Sequence, residues 1–485
     1  MEIKKQKKEF AAAENFLTLS EFRRELGIPL VLAKKLIVWG EVEAVKAVDG
    51  TLRIAAPEVV VAKKFIGTPI NKARLFIKAL GPGLITGASD DDPSGIGTYS
   101  SVGAAFGLSI IWMAAWLLPI MTAIQEACAR IGVVTNKGLA GVLKVHYNRK
   151  IVIGAVVLLI IANIANIGAD LGAMAAAIGM FTDVNYYLII ALLAAAITLV
   201  EIFVQYHLYV RVLKFLTVSV FAYVITGFLI NPDWSLIFKN SIIPQFVFDQ
   251  KYLFAMIAVF GTTITPYLFF WQASEEVEEN KLLKNYRKSK KGIYSRIAHM
   301  RTDVYTGMFL ANIVFFFIVL TTAQVLFTNG ITNVNSAQDA ALALAPLAGN
   351  HAALLFTLGI IGTGLLAVPI LAGSGAYALT EVLEWKEGLE MKFLQAKGFY
   401  LIIALSIICG ALINFIGINP IKALYYAAFL NGVIAVPLMY LIMKIGNDPK
   451  VMGDEIHPKW VKFFGWIAVV AMTVAIVLMI VLQFM

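Results

Sequence analysis

The hydrophobic positions of this chain form long apolar runs, which short polar loops separate. About 20 apolar residues in a helix cross the ~30 Å hydrocarbon core of a bilayer, so each run predicts a membrane-spanning helix. Eleven such spans are predicted, over residues 80–106, 107–129, 151–178, 186–206, 212–231, 252–272, 304–327, 352–382, 398–418, 421–443 and 461–484. The pattern is typical of an all-α polytopic membrane protein, and residues 67–485 are predicted to form its transmembrane domain.

Residues 1–66 have a different pattern. SEFRREL, the turn at Gly27 and Pro29, and LVLAKKLIVWG predict two short helices, and EVEAVKAV and TLRIAA flank an Asp49-Gly50 hairpin signal. This order resembles the small winged-helix domains of excisionase and MerR type, so we predict a winged-helix-like α/β domain in the cytoplasm. Its charges are nearly balanced, so a regulatory or adaptor role is preferred; nucleic-acid binding stays open for residues 1–66 and is not expected elsewhere.

The composition agrees with a membrane protein and excludes several classes. Hydrophobic residues make up 59% of the chain, charged residues 15%, and the mean hydropathy is +0.79, which leaves too little polar surface for several soluble domains. The sequence contains no P-loop, no G-x-S-x-G and no H-E-x-x-H motif. We therefore predict neither an enzyme nor a cofactor, and we expect transport to be driven by ion gradients or membrane potential.

Lysine and arginine predict the orientation in the plasma (inner) membrane. They concentrate in the loops that end the second, fourth, sixth, eighth and tenth spans, above all in residues 281–301, whereas the long loop 328–350 has none. Short cytoplasmic loops carry an excess of these residues. The N-terminus is therefore predicted to be cytoplasmic and the C-terminus extracytoplasmic.

Two predicted spans are interrupted, the first at 88-ASDDDPSG-95 and the sixth at 261-GTTITP-266. The interruptions lie five spans apart, so the two halves run in opposite directions, and broken helices at matching positions of inverted repeats mark the site of many transporters. We predict unwound segments near 88–95 and 261–266, with Asp92 and Thr265 as caps before proline. Carbonyls of unwound chain together with the Asp92 carboxylate would make a hard oxygen cage for a cation.

Three stretches resemble the Nramp family of divalent-metal transporters, over roughly residues 75–445. They are 81-GPGLITGASDDDPSG-95, 125-QEACARIGVVTNKGL-139 and 357-TLGIIGTGLLAVPILAGSGAYAL-379. The resemblance implies a LeuT-type five-plus-five inverted repeat with an eleventh helix, and transport of divalent metal ions by alternating access.

The chain departs from the family motifs at the expected metal site. The family's Asp-Pro-Gly-Asn is Asp92-Pro93-Ser94-Gly95 here, its Met-Pro-His is Thr265-Pro266-Tyr267, and its second histidine aligns with Gln272. Without the soft methionine sulfur, an all-oxygen site favours Mg²⁺, with Mn²⁺ as the second candidate. This pattern resembles the Nramp-related magnesium transporters, and the loss of both histidines argues against proton coupling.

The resemblance also implies a set of residues around the metal. Asp92 is the expected anchoring ligand, Gly95 is expected to supply room, and the remaining lining is expected from Thr265 and from the carbonyls near Ala88, Ser89 and Thr262. A second set is expected in the vestibule or in a proton relay, or as structural groups: Asp90, Asp91, Asp170, Tyr267, Gln272 and Asn431. Asp90 and Asp91 are expected either to attract cations from the vestibule or to be solvated, and a relay or a structural role stays open for Asp170.

Other functions stay open at the level of sequence. A proton-coupled Mn²⁺/Fe²⁺ importer is the nearest alternative, followed by an organic-solute carrier of the same fold and by a membrane-tethered sensor that uses residues 1–66. Divalent cations and the lipid bilayer are the expected partners. The sequence makes no prediction of the oligomeric state.

Overall fold

The computed structural model describes residues 16–26, 33, 37, 42, 44–46, 52–55, 82–204, 218–282, 290–389 and 391–483. The chain divides into two compact units. One unit contains Met1–Gly81 and Leu282–Asp303, and the other contains Pro82–Lys281 and Val304–Met485.

The described part of the first unit is a small antiparallel sheet with one helix. Its elements are β1 (Phe16–Thr18), α1 (Leu19–Leu26), β2 (Ala44–Lys46) and β3 (Leu52–Ala55), in the sheet order β1-β3-β2. The two strands of the predicted hairpin pair in antiparallel fashion, with Val45 opposite Arg53, and the turn at Asp49-Gly50 lies outside the described residues. Phe22 and Ile54 are buried in its core together with Ala33 and Val42. The predicted helix over 30–40, apart from Ala33 and Ile37, and the helix that starts at Pro57 lie outside the described residues, so the winged-helix fold stays a prediction.

The second unit is helical. Its first half contains α2 (Pro82–Asp90), α3 (Pro93–Phe106), α4 (Trp112–Thr135), α5 (Leu139–His146), α6 (Arg149–Gly179), α7 (Tyr186–Phe203), α8 (Ala222–Leu229), α9 (Trp234–Ile242), α10 (Gln250–Thr263) and α11 (Pro266–Leu282). Its second half contains α12 (Lys290–Val325, of which residues 304–325 belong to this unit), α13 (Ala337–Ala341), α14 (Ala345–Ala348), α15 (Ala352–Leu383), α16 (Lys397–Ile413), α17 (Pro420–Gly446), α18 (Pro449–Met452) and α19 (Lys459–Gln483).

Nine helical segments in the described part of the chain are long and apolar enough to cross a membrane. A tenth is added if Ser219–Leu229 and Trp234–Ile242, which meet at 118°, count as one span. Eleven were predicted, and the first of them corresponds to α2 and α3, neither of which is long enough alone. Part of the fifth predicted span, residues 212–217, lies outside the described residues.

The broken first span lies inside the helical bundle. Helix α3 packs against α6, α10, α15 and α17, and nearly every residue from Pro93 to Ala104 is buried. Helices α7 and α19 instead have one face of exposed apolar side chains, for example Leu192 and Phe463. A bilayer would cover such an apolar outer surface, so polar groups of α3 are available only to the protein interior.

Helices α10 and α17 approach each other closely beside the second break. A Cβ atom on Gly261 would collide with the backbone of Ala428 and Gly432, and one on Gly432 with the backbone of Ile257. Glycine at both positions therefore lets the two backbones touch, and this contact positions the end of α10.

Candidate cation-binding site

The first break is short, and the helix that follows it has a capped N-terminus. Helix α2 ends at Asp90 and α3 begins at Pro93, so only Asp91 and Asp92 are non-helical. Proline disfavours a helical conformation in the residue before it, and Asp92 is extended, with φ −67° and ψ 171°. Its Oδ1 accepts hydrogen bonds from the Gly95 amide at 2.7 Å and the Ser94 hydroxyl at 2.6 Å. The predicted N-cap role of Asp92 is thus confirmed.

The second oxygen of Asp92 is contacted from two other helices. Asp92 Oδ2 accepts a hydrogen bond from Asn166 Nδ2 of α6 at 2.9 Å, and the Tyr267 hydroxyl of α11 lies 3.5 Å away. The same Tyr267 hydroxyl donates to the Ser89 carbonyl at 2.7 Å. Both carboxylate oxygens therefore already have protein donors, and a cation that binds Asp92 must share these oxygens with them or displace them.

The second break lies at Ile264 and Thr265, between α10 and α11. The buried Thr265 hydroxyl has no hydrogen-bond partner, so the predicted capping by Thr265 is wrong. Its oxygen is consequently free to bind a ligand. The Thr262 hydroxyl lies 3.3 Å from the Ser94 hydroxyl, which connects the two breaks directly. The Thr262 side-chain oxygen is thus close to the polar cluster of Asp92, Ser94 and Tyr267, here called the Asp92 group, whereas a carbonyl contact of Thr262 stays a prediction.

Two further polar residues belong to this group. Asn431 Nδ2 of α17 donates to Asn166 Oδ1 at 3.2 Å, which connects Asn431 to Asp92 through Asn166. Asn431 was expected to face the cavity, whereas Asn166 and Ser94 were not identified from the sequence. A signal for Asn166 was present: Asn163, Asn166 and Asp170 follow the spacing i, i+3, i+7, which places three polar groups on one face of an apolar helix.

Three more carboxylates lie near Asp92 in the protein interior. Asp90, Asp91 and Asp170 have only 1%, 7% and 0% of their surface exposed, so the expectation that Asp90 and Asp91 could be solvated is wrong in this conformation. Neither oxygen of Asp170 has a partner at ordinary hydrogen-bond geometry, although the Ser94 amide and the Asp92 carboxylate act on it electrostatically. No ion pair in the described part of the chain involves any of these four aspartates.

The unwound segments are narrower than the predicted 88–95 and 261–266. Ala88 and Ser89 lie in the last turn of α2, where helix carbonyls lack an intrahelical partner, so they still offer carbonyl oxygens at the break. Gly95 lies in the first turn of α3. A Cβ atom there would already be 3.1 Å from the Asp90 carbonyl and 3.5 Å from Thr262 Oγ1, so the predicted open space beside Gly95 is filled in this conformation.

Gln272 belongs to a separate polar chain. It accepts a hydrogen bond from the Thr86 hydroxyl at 2.6 Å and donates to Glu276 Oε1 at 2.8 Å. Gln125 Nε2 lies 3.5 Å from the same Gln272 oxygen. This chain connects α2, α4 and α11, and it contains a buried carboxyl group, Glu276, that was not predicted from the sequence.

The Asp92 group offers oxygen ligands to a cation and little positive charge to an anion. Within the described ranges, no three His, Cys, Asp or Glu residues are arranged to hold a metal ion. Hydroxyl and carboxamide oxygens would therefore have to complete the coordination of a cation at Asp92. A hard divalent cation accepts such oxygen ligands. A buried carboxylate that no protein cation neutralises is costly, and a bound cation would remove that cost.

Sequence and structure comparisons agree with each other. The family model for natural resistance-associated macrophage protein-like proteins (Nramp) matches residues 83–482. The divalent metal cation transporter MntH of Klebsiella pneumoniae subsp. pneumoniae is 25% identical over 416 residues, which are 83% of this chain and 93% of that protein.

Two solved structures share the architecture. The Eremococcus coleocola manganese transporter, in complex with an aromatic bis-isothiourea substituted compound, superposes with a TM-score of 0.65 at 19% identity, over 82% of this chain and 86% of that one. Mhp1, a nucleobase-cation-symport-1 family transporter, has a TM-score of 0.52 at 14% identity, over 82% of this chain and 92% of that one. These likenesses bear out the predicted LeuT-type fold. Since the family model covers most of the chain, the protein is a member of the Nramp family.

Proposed function

We propose that this chain is a secondary transporter that imports divalent cations by alternating access, with Mg²⁺ as the preferred substrate, Mn²⁺ as the second, and no proton coupling. The observation that carries the proposal is the buried carboxylate of Asp92 at the junction of two broken helices. Its hydrogen-bond donors are neutral hydroxyl and amide groups from Ser94, Asn166 and Tyr267, and no described ion pair neutralises it.

The relatives support a divalent cation as the substrate. The Klebsiella relative is a divalent metal cation transporter, and the Eremococcus structure is that of a manganese transporter. The preference for Mg²⁺ rests on the chemistry of this chain: Thr265 offers a buried hydroxyl at the second break, and no sulfur stands at Thr262 or Thr265. Thioether ligands select softer transition metals, so an all-oxygen set removes that selection.

The alternative of a proton-coupled Mn²⁺ importer has one observation in its favour. Asp170 and Glu276 are buried carboxyl groups in the membrane-spanning region, and buried carboxyl groups there are frequent members of proton relays. No histidine accompanies them at the breaks, where Thr265-Pro266-Tyr267 and Gln272 stand. We therefore propose that these carboxyl groups do not carry a coupled proton flow.

The test is cation competition in proteoliposomes that contain a pH-sensitive dye. The proposal expects uptake of Mg²⁺ that Mn²⁺ inhibits, weaker inhibition by Cd²⁺, and no change of internal pH beyond that of empty liposomes. Metal entry with stoichiometric acidification would support the proton-coupled importer instead. Absence of any divalent uptake would reject transport of divalent cations altogether.

We further propose that the N-terminus is cytoplasmic and the C-terminus extracytoplasmic. The support is the Lys and Arg pattern of the loops, since 281–301 is strongly basic and 328–350 contains no Lys or Arg. A reporter enzyme that folds only outside the cytoplasm should be active when it is fused after Met485. An inactive reporter at that position would contradict the orientation.

A further inference from the structure

The hydrogen-bond directions around Asp92 determine how two carboxamides are oriented. An ionised carboxylate only accepts hydrogen bonds, so Asn166 must turn its Nδ2 group toward Asp92 Oδ2, at 2.9 Å. Asn166 Oδ1 then points away from Asp92 and accepts from Asn431 Nδ2 at 3.2 Å. The two amides thus form a directed chain from α17 through α6 to the first helix break.

This arrangement does not suit a cation placed between Asp92 Oδ2 and Asn166. The hydrogens of Asn166 Nδ2 would point at the cation, which requires an oxygen lone pair instead. The terminal torsion of asparagine is broad and roughly two-fold, so a half-turn exchanges nitrogen for oxygen without moving the backbone. After that half-turn Asn166 Nδ2 faces Asn431, and Asn431 must also turn over, to present its own oxygen.

We infer that Asn166 and Asn431 form an amide switch: both carboxamides turn over when a divalent cation reaches Asp92, and Asn166 Oδ1 then becomes a ligand or an oxygen contact of that cation. The inference rests on the proposed function and adds a residue that determines affinity at the same site. It places a carboxamide oxygen on α6, while position 95 is a glycine, at which even a Cβ atom would lie only 3.1 Å from the Asp90 carbonyl.

The switch also changes what joins the first break to α6. Without a cation, the Asp92–Asn166 hydrogen bond holds the break between α2 and α3 against α6. With a cation, the same helices are joined through the ion, and only the side chain of Asn431 on α17 reorients. Asn166 thus positions the break through its hydrogen bond, and it also supplies an oxygen atom to the cation.

The test is divalent-cation affinity of the purified full-length protein, measured by isothermal titration calorimetry with Mg²⁺ alone and with Mn²⁺ alone. Asn166→Leu should weaken binding by about tenfold or more, which corresponds to ~1.4 kcal/mol. Asn431→Asp should strengthen binding, because an ionised carboxylate only accepts and holds Asn166 in the oxygen-forward orientation. That gain should vanish in the double variant Asn166→Leu/Asn431→Asp, since it acts through Asn166.

Asn163→Leu is the matched control. Asn163 lies one turn earlier on α6 and donates to the Leu371 carbonyl and the Ser374 hydroxyl, both at 2.8 Å. It makes the same kind of amide contact without touching Asp92, so its loss should leave the cation affinity unchanged. If Asn166→Leu does not elute as folded protein, Asn166→Ser, whose hydroxyl is too short to bridge to Asp92, replaces it with the same expectation.

Three outcomes would overturn the switch. Unchanged or tighter binding by Asn166→Leu would show that Asn166 only forms a hydrogen bond with Asp92 in the cation-free protein and does not contact the cation. A gain from Asn431→Asp that persists in the double variant would show a simple effect of added charge. Wild-type protein that binds no divalent cation would reject the proposed function and the switch together, whereas the first two outcomes reject the switch alone.

Discussion

At the scale of single residues, the two carboxylate oxygens of Asp92 make different contacts. Oδ1 caps α3 through the Gly95 amide and the Ser94 hydroxyl, so the carboxylate is held in place by local sequence. Oδ2 faces Asn166 and Tyr267, which come from distant parts of the chain. A cation that binds at Oδ2 can therefore reach Asp92 without unwinding the cap of α3.

Thr265 offers a direct test of ligand softness. Replacing Thr265 by Met should shift the preference from Mg²⁺ toward Mn²⁺ and Cd²⁺ by about tenfold, because a thioether replaces an unpartnered hydroxyl at the break. The measurement is the ratio of Mg²⁺ to Cd²⁺ uptake in proteoliposomes.

Thr265→Val is the control for the Thr265→Met measurement. Valine removes the hydroxyl at nearly the same volume and adds no sulfur, so it should weaken Mg²⁺ uptake without a gain in Cd²⁺ uptake. If the methionine and valine variants have the same metal profile, the argument from ligand softness is wrong.

The sequence revealed the local part of the site better than its distant part. Asp92 was predictable because a carboxylate directly before proline in an apolar span is typical of a functional helix break, and its capping contacts lie within three residues. Asn166 was not, because its partner is 74 positions away and the amide contact depends on how α6 packs against α3. Thr265 was expected to cap α11 by analogy with Asp92, but its hydroxyl makes no such bond.

At the scale of helices, the close contact between α10 and α17 positions the second break. Gly261→Ala should destabilise the protein by about 1–3 kcal/mol, because the added methyl group overlaps the backbone of Ala428 and Gly432 and must push the helices apart. The expected result is a lower thermal midpoint in detergent and slower divalent uptake.

Gly154→Ala is the matched substitution for Gly261→Ala. Gly154 lies within α6, and no atom would come within 4 Å of a Cβ atom there, so alanine should leave the midpoint unchanged or raise it slightly. Equal midpoints for both alanine variants would contradict the idea that backbone contact at Gly261 organises the break.

Helix boundaries followed from the sequence where apolar periodicity and caps agree. The predicted spans 352–382 and 421–443 correspond to α15 (Ala352–Leu383) and α17 (Pro420–Gly446). The length of the two breaks could not be predicted from the sequence. Proline and glycine indicate where a helix can stop but not how many residues unwind. Ala88, Ser89 and Gly95 are consequently helical, although unwound chain was predicted there.

At the scale of the whole molecule, a half-buried carboxyl group outside the membrane spans should affect stability. The pKa of Glu387 is raised from 4.5 to about 7, first because burial disfavours its charged form, and also because the Glu278 carboxylate is near. The Thr380 hydroxyl, which donates to Glu387 at 2.7 Å, and Lys281 oppose this effect.

This raised pKa determines the sign of the pH dependence. Between about pH 4.5 and 7 the folded protein holds the Glu387 proton while the unfolded chain has released it, so the contribution of Glu387 to stability falls as pH rises through this window. Glu387→Gln should flatten that part of the curve of thermal midpoint against pH and raise the midpoint at pH 8.

Glu384→Gln removes the same charge from the same loop and serves as the comparison for Glu387→Gln. Glu384 is exposed, pairs with Lys144 at 2.6 Å, and has a lowered pKa because of that lysine. Its loss should leave the slope between pH 5 and 7 intact. A slope that both variants share with the wild type would show that Glu387 does not titrate in this range.

On the proposed function, transport depends on the Asp92 carboxylate, whose hydrogen-bond donors are neutral groups and near which three more buried carboxyl groups lie. A membrane potential of 100 mV supplies about 4.6 kcal/mol for the inward movement of a divalent cation, which is sufficient to drive uptake without a proton gradient. The charge of Asp92 must then hold the ion at the break while the helices rearrange. Replacement by asparagine keeps an N-cap oxygen for the Gly95 amide and removes only the charge.

The most direct measurement is therefore Mg²⁺ uptake into proteoliposomes by the wild type and by Asp92→Asn, at an inside-negative potential. We predict saturable uptake by the wild type and a loss of at least ~100-fold in the variant, which corresponds to about 2.8 kcal/mol, with an unchanged thermal midpoint. Uptake by Asp92→Asn at the wild-type rate would contradict a cation site at this carboxylate.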